Sequence, residues 1–265
     1  PYSNNSPDII GLCEVENDSV LQELVNQKPL QNKGYESIHF DSPDRRGIDV
    51  ALLYKTNSFY PTTMTSRRLV LYIGDNERKY TRDQLVVGGL LDDEQYYFIV
   101  NHWPSRSGGE SRSRRYRMSA ANLNKRIIDS LRKENPIAKI ISMGDFNDDP
   151  TNASFKKVLQ TKGSKNQLEE TSLYNPMEKL YRSGEGSLAY RDRWNLFDQF
   201  YMTASVTVNN GGYHYWKSGI FTIPELITQN GRYKGYPLRT YAGGAYVGGY
   251  SDHFPVYLFL IKEKK

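Results

Sequence analysis

The sequence predicts one α/β domain, and three observations support this fold class. Short apolar runs rich in Ile, Val and Leu recur along the chain and are typical of buried strands. Residues 111–135 place apolar side chains at helical spacing, which gives one apolar face. The 265 residues are 38% hydrophobic and contain no linker, repeat or low-complexity tract, so we expect a single core.

Composition limits the classes of function that fit this chain. The formal net charge of +5 favours anionic partners. No apolar run is long enough to cross a bilayer, so no membrane span is predicted, and a monomer is favoured. Cys13 is the single cysteine and lies in an apolar run, which indicates a small core residue. Because the chain opens on Pro1, it is processed or trimmed, and an exported or periplasmic location stays open.

The first predicted strands carry two acidic residues. These strands are residues 8–13, 35–40 and 48–54. Glu14 closes the first of them, and a carboxylate buried at a strand end needs a cation or a hydrogen-bond partner. Asp49 lies inside the third strand and is out of place there unless it also has a partner.

A hairpin is predicted next, with strands at residues 84–91 and 95–102. Its second strand ends at His102, which is followed by Trp103 and Arg106. A lone histidine at a strand end is usually a structural residue with satisfied hydrogen bonds. The neighbouring tryptophan and arginine favour a functional role instead.

Arginine is concentrated after this hairpin. The stretch contains Arg106, Arg112, Arg114, Arg115 and Arg117. Arginine binds phosphate in a bidentate manner, so the stretch predicts contact with a polyanion. The alternative is that these side chains form the solvated face of the helix predicted for residues 111–135.

The most informative stretch is Gly144–Pro150, which follows a strand predicted for residues 138–143. Asp145 and Asn147 are two residues apart, so an extended backbone directs both side chains to one side and Phe146 to the other. A carboxylate and an amide would then share a pocket at the end of a strand. The alternative is an Asx-rich turn that leads into a short helix.

The last third of the chain supplies three more polar side chains. A strand predicted for residues 196–202 carries Asp198 near its start. Asp252 and His253 precede the apolar run at residues 254–260, which we predict to be a central strand.

Acidic, amide and histidine side chains therefore recur at strand ends. They are Glu14, His102, Asp145, Asn147, Asp198, Asp252 and His253. Carboxylates are ligands for hard divalent cations and histidines transfer protons, so the set indicates metal-assisted proton chemistry. The sequence contains no Walker-type loop, dinucleotide fingerprint or Cys/His zinc spacing.

Five motifs, in this order, resemble those of the endonuclease/exonuclease/phosphatase superfamily of deoxyribonuclease-like, metal-dependent phosphoesterases. They are DIIGLCEVEN from Asp8, NHWPSR from Asn101, GDFNDDP from Gly144, LFDQF around Asp198 and SDHFPV from Ser251. Each motif is weak alone, but independent loops would rarely supply all five. The resemblance implies two packed mixed β-sheets flanked by helices, a four-layer α/β sandwich.

The resemblance also implies roles for the matching residues. Glu14 and Asp252 match carboxylates that hold the metal, which would be Mg²⁺ or Mn²⁺. Asp145 and Asn147 match the pair that activates the attacking water and binds the phosphate.

Two histidines match catalytic positions of the superfamily. His253 resembles the histidine on the scissile phosphate, with Asp198 as the aspartate that supports it. His102 resembles the second histidine, which Asp49 would orient. Arg82 falls where such proteins place an arginine that contacts phosphate.

One feature departs from the superfamily pattern. Its members have an asparagine on a first strand upstream of the metal-binding glutamate, whereas only seven residues precede Asp8. Asn4 and Asn5 lie in a short polar segment and are poor substitutes, so we expect that the first strand is missing from the chain.

These observations predict metal-dependent hydrolysis of phosphate esters, most simply by a phosphodiesterase or nuclease. Arg82, Arg106 and Trp103 would bind the substrate, with Trp103 or Trp194 stacking on bases if that substrate is nucleic acid. A phosphomonoesterase acting on a sugar or lipid phosphate is the alternative, and a non-catalytic binding protein is another. The 21 tyrosines and the acid pair at residues 148–149 favour a glycan-binding or glycan-cleaving protein, which explains neither histidine.

Overall fold

The computed structural model describes residues 6–74 and 76–263, and its elements are numbered in chain order. The strands are β1 (Ile9–Val15), β2 (Tyr35–His39), β3 (Asp49–Lys55), β4 (Phe59–Arg67), β5 (Leu71–Ile73), β6 (Glu77–Lys79), β7 (Gln84–Leu91), β8 (Glu94–His102), β9 (Lys139–Asp145), β10 (Leu173–Tyr174), β11 (Leu188–Tyr190), β12 (Arg193–Asn195), β13 (Asp198–Thr203), β14 (His214–Ile220), β15 (Tyr241–Ala242), β16 (Ala245–Tyr246) and β17 (Val256–Ile261). The α-helices are α1 (Asp18–Val25), α2 (Glu110–Glu134) and α3 (Met177–Arg182). A π-helix covers Ser154–Leu159.

Two sheets form the centre of the molecule. The larger has six strands in the order β10-β13-β9-β8-β7-β4, and β8 and β9 are parallel neighbours. The smaller has three strands in the order β1-β3-β2, and β14 pairs with β17 beside it.

Alternating side chains along the strands build a core on each face of the six-stranded sheet, because successive residues of a strand point to opposite faces. The core between the two sheets includes Leu52, Tyr54, Val87, Phe98, Val100 and Ile141. The core beneath α2 includes Val86, Ile99, Leu123, Ile127 and Ile140. The central strands of the larger sheet therefore contribute to two layers.

The helix α1 covers the outer face of the smaller sheet. Its Leu21 packs with Ala51 and Leu53 of β3, and all three are buried. The layers therefore run helix, sheet, sheet, helix, which confirms the predicted four-layer α/β sandwich.

Strand register sets the position of the polar residues. In the parallel pair of β8 and β9, His102 lies opposite Asp145. In the antiparallel pair of β9 and β13, Asp198 lies opposite Asp145. The three side chains therefore lie in one row across the ends of three adjacent strands.

Most predicted elements are present in the structure, with the hairpin formed by β7 and β8 and the long helix α2 at the expected positions. The segment 154–160, predicted to be a short helix, contains the π-helix. The missing first strand stays a prediction, since Asn4 and Asn5 lie outside the described residues. No helix in the described ranges is both long and apolar enough to cross a membrane.

The prediction that the last strand is central is wrong. Within the described residues β17 pairs with β14 alone, in a two-stranded sheet. Leu258 and Leu260 contact the inner core, while Phe259 contacts the rings of Tyr257 and Trp216 on the other face. Both faces of β17 are therefore apolar, although no strand in the described part of the chain packs on the outer one. Aromatic side chains cover that face instead.

Gly144 is required by the close approach of β8 and β9. Its φ is 127°, and a Cβ there would lie 2.0 Å from the carbonyl oxygen of Asn101. We predict that Gly144→Ala lowers the free energy of unfolding by about 1–2 kcal/mol for the backbone conformation and by about 1–3 kcal/mol more for the clash. Urea denaturation checks this value. Gly47→Ala is the matched control, because Gly47 has a φ of 65° with nothing within 4 Å of its Cβ position, and equal losses would contradict the prediction.

Candidate active site

Asp145 and Asn147 meet at the end of β9, as predicted. The backbone N–H of Asn147 donates to Asp145 Oδ1 (2.8 Å), and Asn147 Nδ2 donates to Asp145 Oδ2 (3.1 Å). The chain is not extended here, because Asn147 has a φ of 51°, a left-handed conformation that asparagine tolerates. Phe146 is fully buried. The two predicted alternatives are therefore combined, because an Asx turn brings the carboxylate and the amide together.

Asp198 and His253 form an ion pair beside Asp145. His253 Nδ1 lies 2.7 Å from Asp198 Oδ2, and the same oxygen accepts a hydrogen bond from Ser187 Oγ (2.6 Å). Ligand atoms of Asp145, Asp198 and His253 all lie within 4.8 Å of one another. The structure thus brings two carboxylates and an imidazole into one cluster.

Burial and charge set the protonation of this cluster. Burial raises the pKa of Asp145 to about 6, with the charge of His253 opposing the rise and that of Asp198 adding to it. Burial alone would favour a neutral His253 ring, but the charge and hydrogen bond of Asp198, helped by Asp145 and Asp252, raise the pKa of His253 to about 10. At neutral pH the cluster therefore contains an ionised Asp145 and a cationic His253.

The second histidine has the opposite protonation. His102 Nε2 lies 3.5 Å from Asp145 Oδ2, while its buried Nδ1 has no hydrogen-bond partner among the described residues. Burial, with the positive charges of Arg82, Arg46 and His253, holds the pKa of His102 well below its usual value. Its ring is therefore neutral at neutral pH.

The prediction that Asp49 orients His102 is wrong. Asp49 Oδ2 lies 3.0 Å from His39 Nε2, and Asp49 Oδ1 accepts a hydrogen bond from the backbone N–H of Ser42 (2.8 Å). His39 pairs with Ala51 in the ladder of β2 and β3, which puts it diagonally across from Asp49 on the same sheet. His102 belongs to the other sheet.

Arg82 is buried near the site, with part of its guanidinium occupied. Its Nη1 donates to Asp44 Oδ2 (3.0 Å) and its Nη2 to the carbonyl oxygen of Trp103 (2.7 Å). Its Nε is buried without a partner in the described part of the chain. One donor thus holds the segment after β8 and another holds the loop between β2 and β3, instead of a phosphate.

The prediction that Trp103 stacks on a base is wrong, because its side chain is only 1% exposed. The ring centroid lies 4.8 Å from that of Phe146 and 5.6 Å from that of Phe155, and Nε1 donates to Asn101 Oδ1 (3.0 Å). The residue contributes to the site through its carbonyl oxygen, which accepts from Asn147 Nδ2 (2.9 Å).

Arg106 binds the loop that follows β9. Its Nε donates to the carbonyl oxygen of Asn147 (3.0 Å), and its Nη2 lies 3.0 Å from Asp149 Oδ2. Its guanidinium also covers the ring of Phe197 at 4.4 Å. Arg106 thus has a structural role in holding this loop, and its role in binding substrate stays a prediction.

Arg117 in α2 is fully buried, with its Nε 2.6 Å from Asp148 Oδ1. Arg114 pairs with Glu110 on the helix surface at 2.7 Å. Arg106, Arg114 and Arg117 thus bind carboxylates of the chain itself, and the predicted contact of the stretch with a polyanion stays a prediction. The sequence reveals that this segment is rich in arginine. It does not reveal that Asp148 is buried and pairs with Arg117.

Glu14 and Asp252, the predicted metal ligands, both have accessible carboxylates. A β-bulge between Cys13 and Val15 gives Glu14 a φ of 60°, and its side chain is 61% exposed. The side chain of Asp252 is 53% exposed. Their nearest cations are Arg46 and Arg239, each at 3.8 Å, which is too far for a hydrogen bond.

A model of the endonuclease/exonuclease/phosphatase family matches residues 2–262. The chain belongs to this family. A search of curated proteins found no match.

Solved structures with the same fold cover most of the chain. A mannosyl-6-phosphatase from Bacteroides thetaiotaomicron is 19% identical, with a TM-score of 0.59 over 96% of this chain and 85% of its own. TDP2 from D. rerio, complexed with a single-strand DNA product, is 14% identical, with a TM-score of 0.58 over 97% and 86%. The human nocturnin catalytic domain with bound sulfate is 18% identical, with a TM-score of 0.55 over 96% and 82%. At these identities the likeness establishes the fold.

Sequence reasoning missed three supporting residues of this family member. Ser187 binds Asp198, Asp44 binds Arg82, and His39 binds Asp49. Ser187 and Asp44 lie in segments without periodicity, so no sequence signal was available for them. His39 ends a predicted strand, and that position was a usable signal.

The buried pair of Arg117 and Asp148 gives a stability prediction. We expect Arg117→Leu to destabilise the fold by about 3–5 kcal/mol, because it removes the closest cation of the buried Asp148 and leaves only Arg106 at 3.5 Å. Arg114→Leu is the matched control on the same helix and should leave the unfolding midpoint nearly unchanged, since exposed pairs are screened by solvent. Urea denaturation of both variants is the measurement. A similar midpoint for the two would contradict the structural role of Arg117.

The ion pair of His253 and Asp198 gives a titration prediction. In Asp198→Asn the pKa of His253 should fall from about 10 toward the ordinary value of about 6.5, because the carboxylate charge is lost. Ser187→Ala keeps that charge and should keep the pKa high. Histidine NMR titration of the metal-free protein measures both, and an unchanged value in Asp198→Asn would contradict the pairing.

The same pair makes stability depend on pH. The folded-state pKa of His253 lies above its unfolded value, so its contribution is complete below about pH 6.5 and is lost as the pH rises toward about 10. Asp198→Asn should remove this alkaline loss of stability.

Proposed function

We propose that this protein hydrolyses phosphate esters, phosphodiesters first among them, by in-line attack of a water molecule on phosphorus. The observation that carries the proposal is the cluster of Asp145, Asp198 and His253, whose ligand atoms all lie within 4.8 Å of one another. An acceptor for the proton of water and a charge for the phosphoryl oxygens are thus both present.

Asp145 is suited to take the proton from water. Its pKa near 6 means that it is ionised at neutral pH, yet more basic than an ordinary aspartate. Both its oxygens accept hydrogen bonds from Asn147, which fix the carboxylate in one orientation. Asn147 therefore positions the base.

His253 is suited to stabilise negative charge on the phosphorane. Asp198 keeps the ring cationic through Nδ1, which leaves Nε2 as the donor that would face the phosphoryl oxygen. The neutral His102 on the other side of Asp145 adds no competing charge.

A hard divalent cation such as Mg²⁺ or Mn²⁺ would suit the oxygen donors of this site, since carboxylate oxygens of Asp145 and Asp198 lie within 4.8 Å of one another. Glu14 and Asp252 offer exposed carboxylate oxygens, the ligand type that these ions prefer, and they would hold it. When bound, such an ion neutralises phosphate charge and the charge on the leaving oxygen.

Two further observations bear on the alternatives. Asp148 and Asp149, the pair that favoured glycan cleavage, are buried and bound to arginines. They therefore cannot flank a glycosidic bond. Among the structural neighbours are a sugar-phosphate phosphatase and a protein that binds a DNA product, which supports phosphate esters as the substrate class.

Hydrolysis of bis-p-nitrophenyl phosphate and of p-nitrophenyl phosphate tests the proposal. With Mg²⁺ or Mn²⁺ we expect turnover of the diester above that of the monoester, and no turnover in excess EDTA. Turnover of the monoester alone would replace the diesterase with a phosphomonoesterase. Full turnover in EDTA would overturn the metal dependence, and no turnover of either ester would overturn the hydrolase.

The pH profile should report the two titrating groups. We expect activity to rise as Asp145 ionises near pH 6 and to fall as His253 loses its proton toward pH 10. In Asp198→Asn the alkaline limb should move toward acid, and His253→Ala should lose on the order of a hundredfold in kcat. Full activity in His253→Ala would show that the charge stabilisation comes from another group.

A further inference from the structure

A continuous set of aromatic rings leads away from the catalytic histidine. We call Phe254, Trp194, Tyr236 and Tyr233 the aromatic ladder. Phe254 and Trp194 are stacked with centroids 6.1 Å apart and planes at 17°. Trp194 lies 5.8 Å from Tyr236, which lies 5.7 Å from Tyr233.

The inner end of the ladder is fixed to the active site. Phe254 directly follows His253, and its backbone N–H donates to the carbonyl oxygen of Ser187 (2.7 Å). The hydroxyl of Ser187 in turn donates to Asp198. The start of the ladder therefore shares its supports with the ion pair of the site.

The outer end is also held in place. Tyr236 OH donates to Asp192 Oδ1 (2.7 Å) and accepts from the backbone N–H of Asp192 (3.0 Å). Asp192 is in the turn between β11 and β12, so these bonds join the hairpin to the segment that carries Tyr233 and Tyr236. The rings are thus a preformed surface, which lowers the entropic cost of binding.

The outer rings are exposed to solvent. Trp194 is 36% exposed and Tyr233 is 53% exposed. The surface around them is basic, since residues 190–194 and 232–239 contain one acidic residue and five exposed basic ones. These are Arg191, Arg193, Arg232, Lys234 and Arg239, of which Arg232 lies over the Tyr233 ring at 5.8 Å and Arg239 lies 3.8 Å from Asp252. Exposed aromatic faces among arginines are typical of proteins that bind single-stranded nucleic acid.

We propose that the aromatic ladder binds a single-stranded nucleic acid, with unpaired bases on Trp194 and Tyr233 and the backbone phosphates among the basic residues. The inference rests on the proposed phosphodiester hydrolysis, because it places the strand beside the phosphate at His253. Bases in a duplex are already stacked on each other, so only an unpaired strand offers free base faces. A simple sugar phosphate has no planar ring for these residues and too little charge for five cations.

Fluorescence anisotropy of a labelled oligothymidylate, measured in EDTA so that the strand stays intact, tests the ladder. Trp194→Ala and Tyr233→Ala should each weaken binding by about 5- to 100-fold, the range measured for loss of one base stack. Binding by the wild type should weaken with added salt. A matched duplex should bind more weakly than the single strand.

Trp216→Ala is the matched control. Trp216 is 52% exposed and also has a basic neighbour, Lys217 at 4.2 Å, but it lies on β14 beside Phe259 and outside the ladder. It should bind the strand as the wild type does. Equal losses in Trp194→Ala and Trp216→Ala, no loss in either ladder variant, or equal binding of duplex and single strand would each overturn the proposal.

Bis-p-nitrophenyl phosphate separates this inference from the proposed function. Its turnover by the wild type reports the hydrolase without any strand, whereas anisotropy in EDTA reports strand binding by the ladder variants without any turnover. Trp194→Phe, which keeps a ring on Phe254, should recover most of the strand binding lost in Trp194→Ala. Absence of diester turnover in the wild type would overturn the hydrolase, whereas strand binding that ignores the ladder variants would overturn only the ladder.

Discussion

The need to compensate buried carboxylates shapes the whole active-site edge of this protein. Register places His102, Asp145 and Asp198 side by side on three adjacent strands, where water cannot solvate two negative charges. Asp198 is compensated by His253, and Asp145 by the two N–H donors of Asn147. The same partners that make burial tolerable also set the protonation that the chemistry requires.

This constraint extends into the helical layer. The loop after β9 buries Asp148, so α2 has to deliver the Arg117 guanidinium to it from beneath the sheet. A buried ion pair therefore joins the long helix to the loop after β9, which Arg106 also binds. Arg106 and Arg117, which the sequence suggests as phosphate-binding residues, therefore neutralise buried carboxylates of the loop.

Sequence predicted the parts of the fold that depend on local pattern. The periods of two and of 3.6 residues located the main strands and α2, and the polar strand ends located Asp145, Asn147, Asp198 and His253. Sequence did not predict the side-chain contacts that depend on residues distant in the chain. Trp103 follows a strand end, where a residue that stacks on substrate was expected, but its side chain is buried in the core. Asp49 binds His39 on a neighbouring strand, not His102. A missing first strand remains a prediction.

Chemistry and substrate choice reside in different kinds of structure here. The proposed base, Asp145, lies at a strand end whose position follows from hydrogen-bond register, and His253 is held beside it through Asp198, so neither position can change much without disrupting the site. The aromatic ladder comes from a hairpin and a long loop that are tied to the site through Ser187 and to each other through Asp192. Between these hydrogen bonds the loop residues are exposed and contribute little to the core. Their side chains can therefore vary with the ligand at little cost in stability. The family fold therefore sets where the proposed reacting groups lie, and under the proposed function the residues outside the sheet would select the phosphate ester.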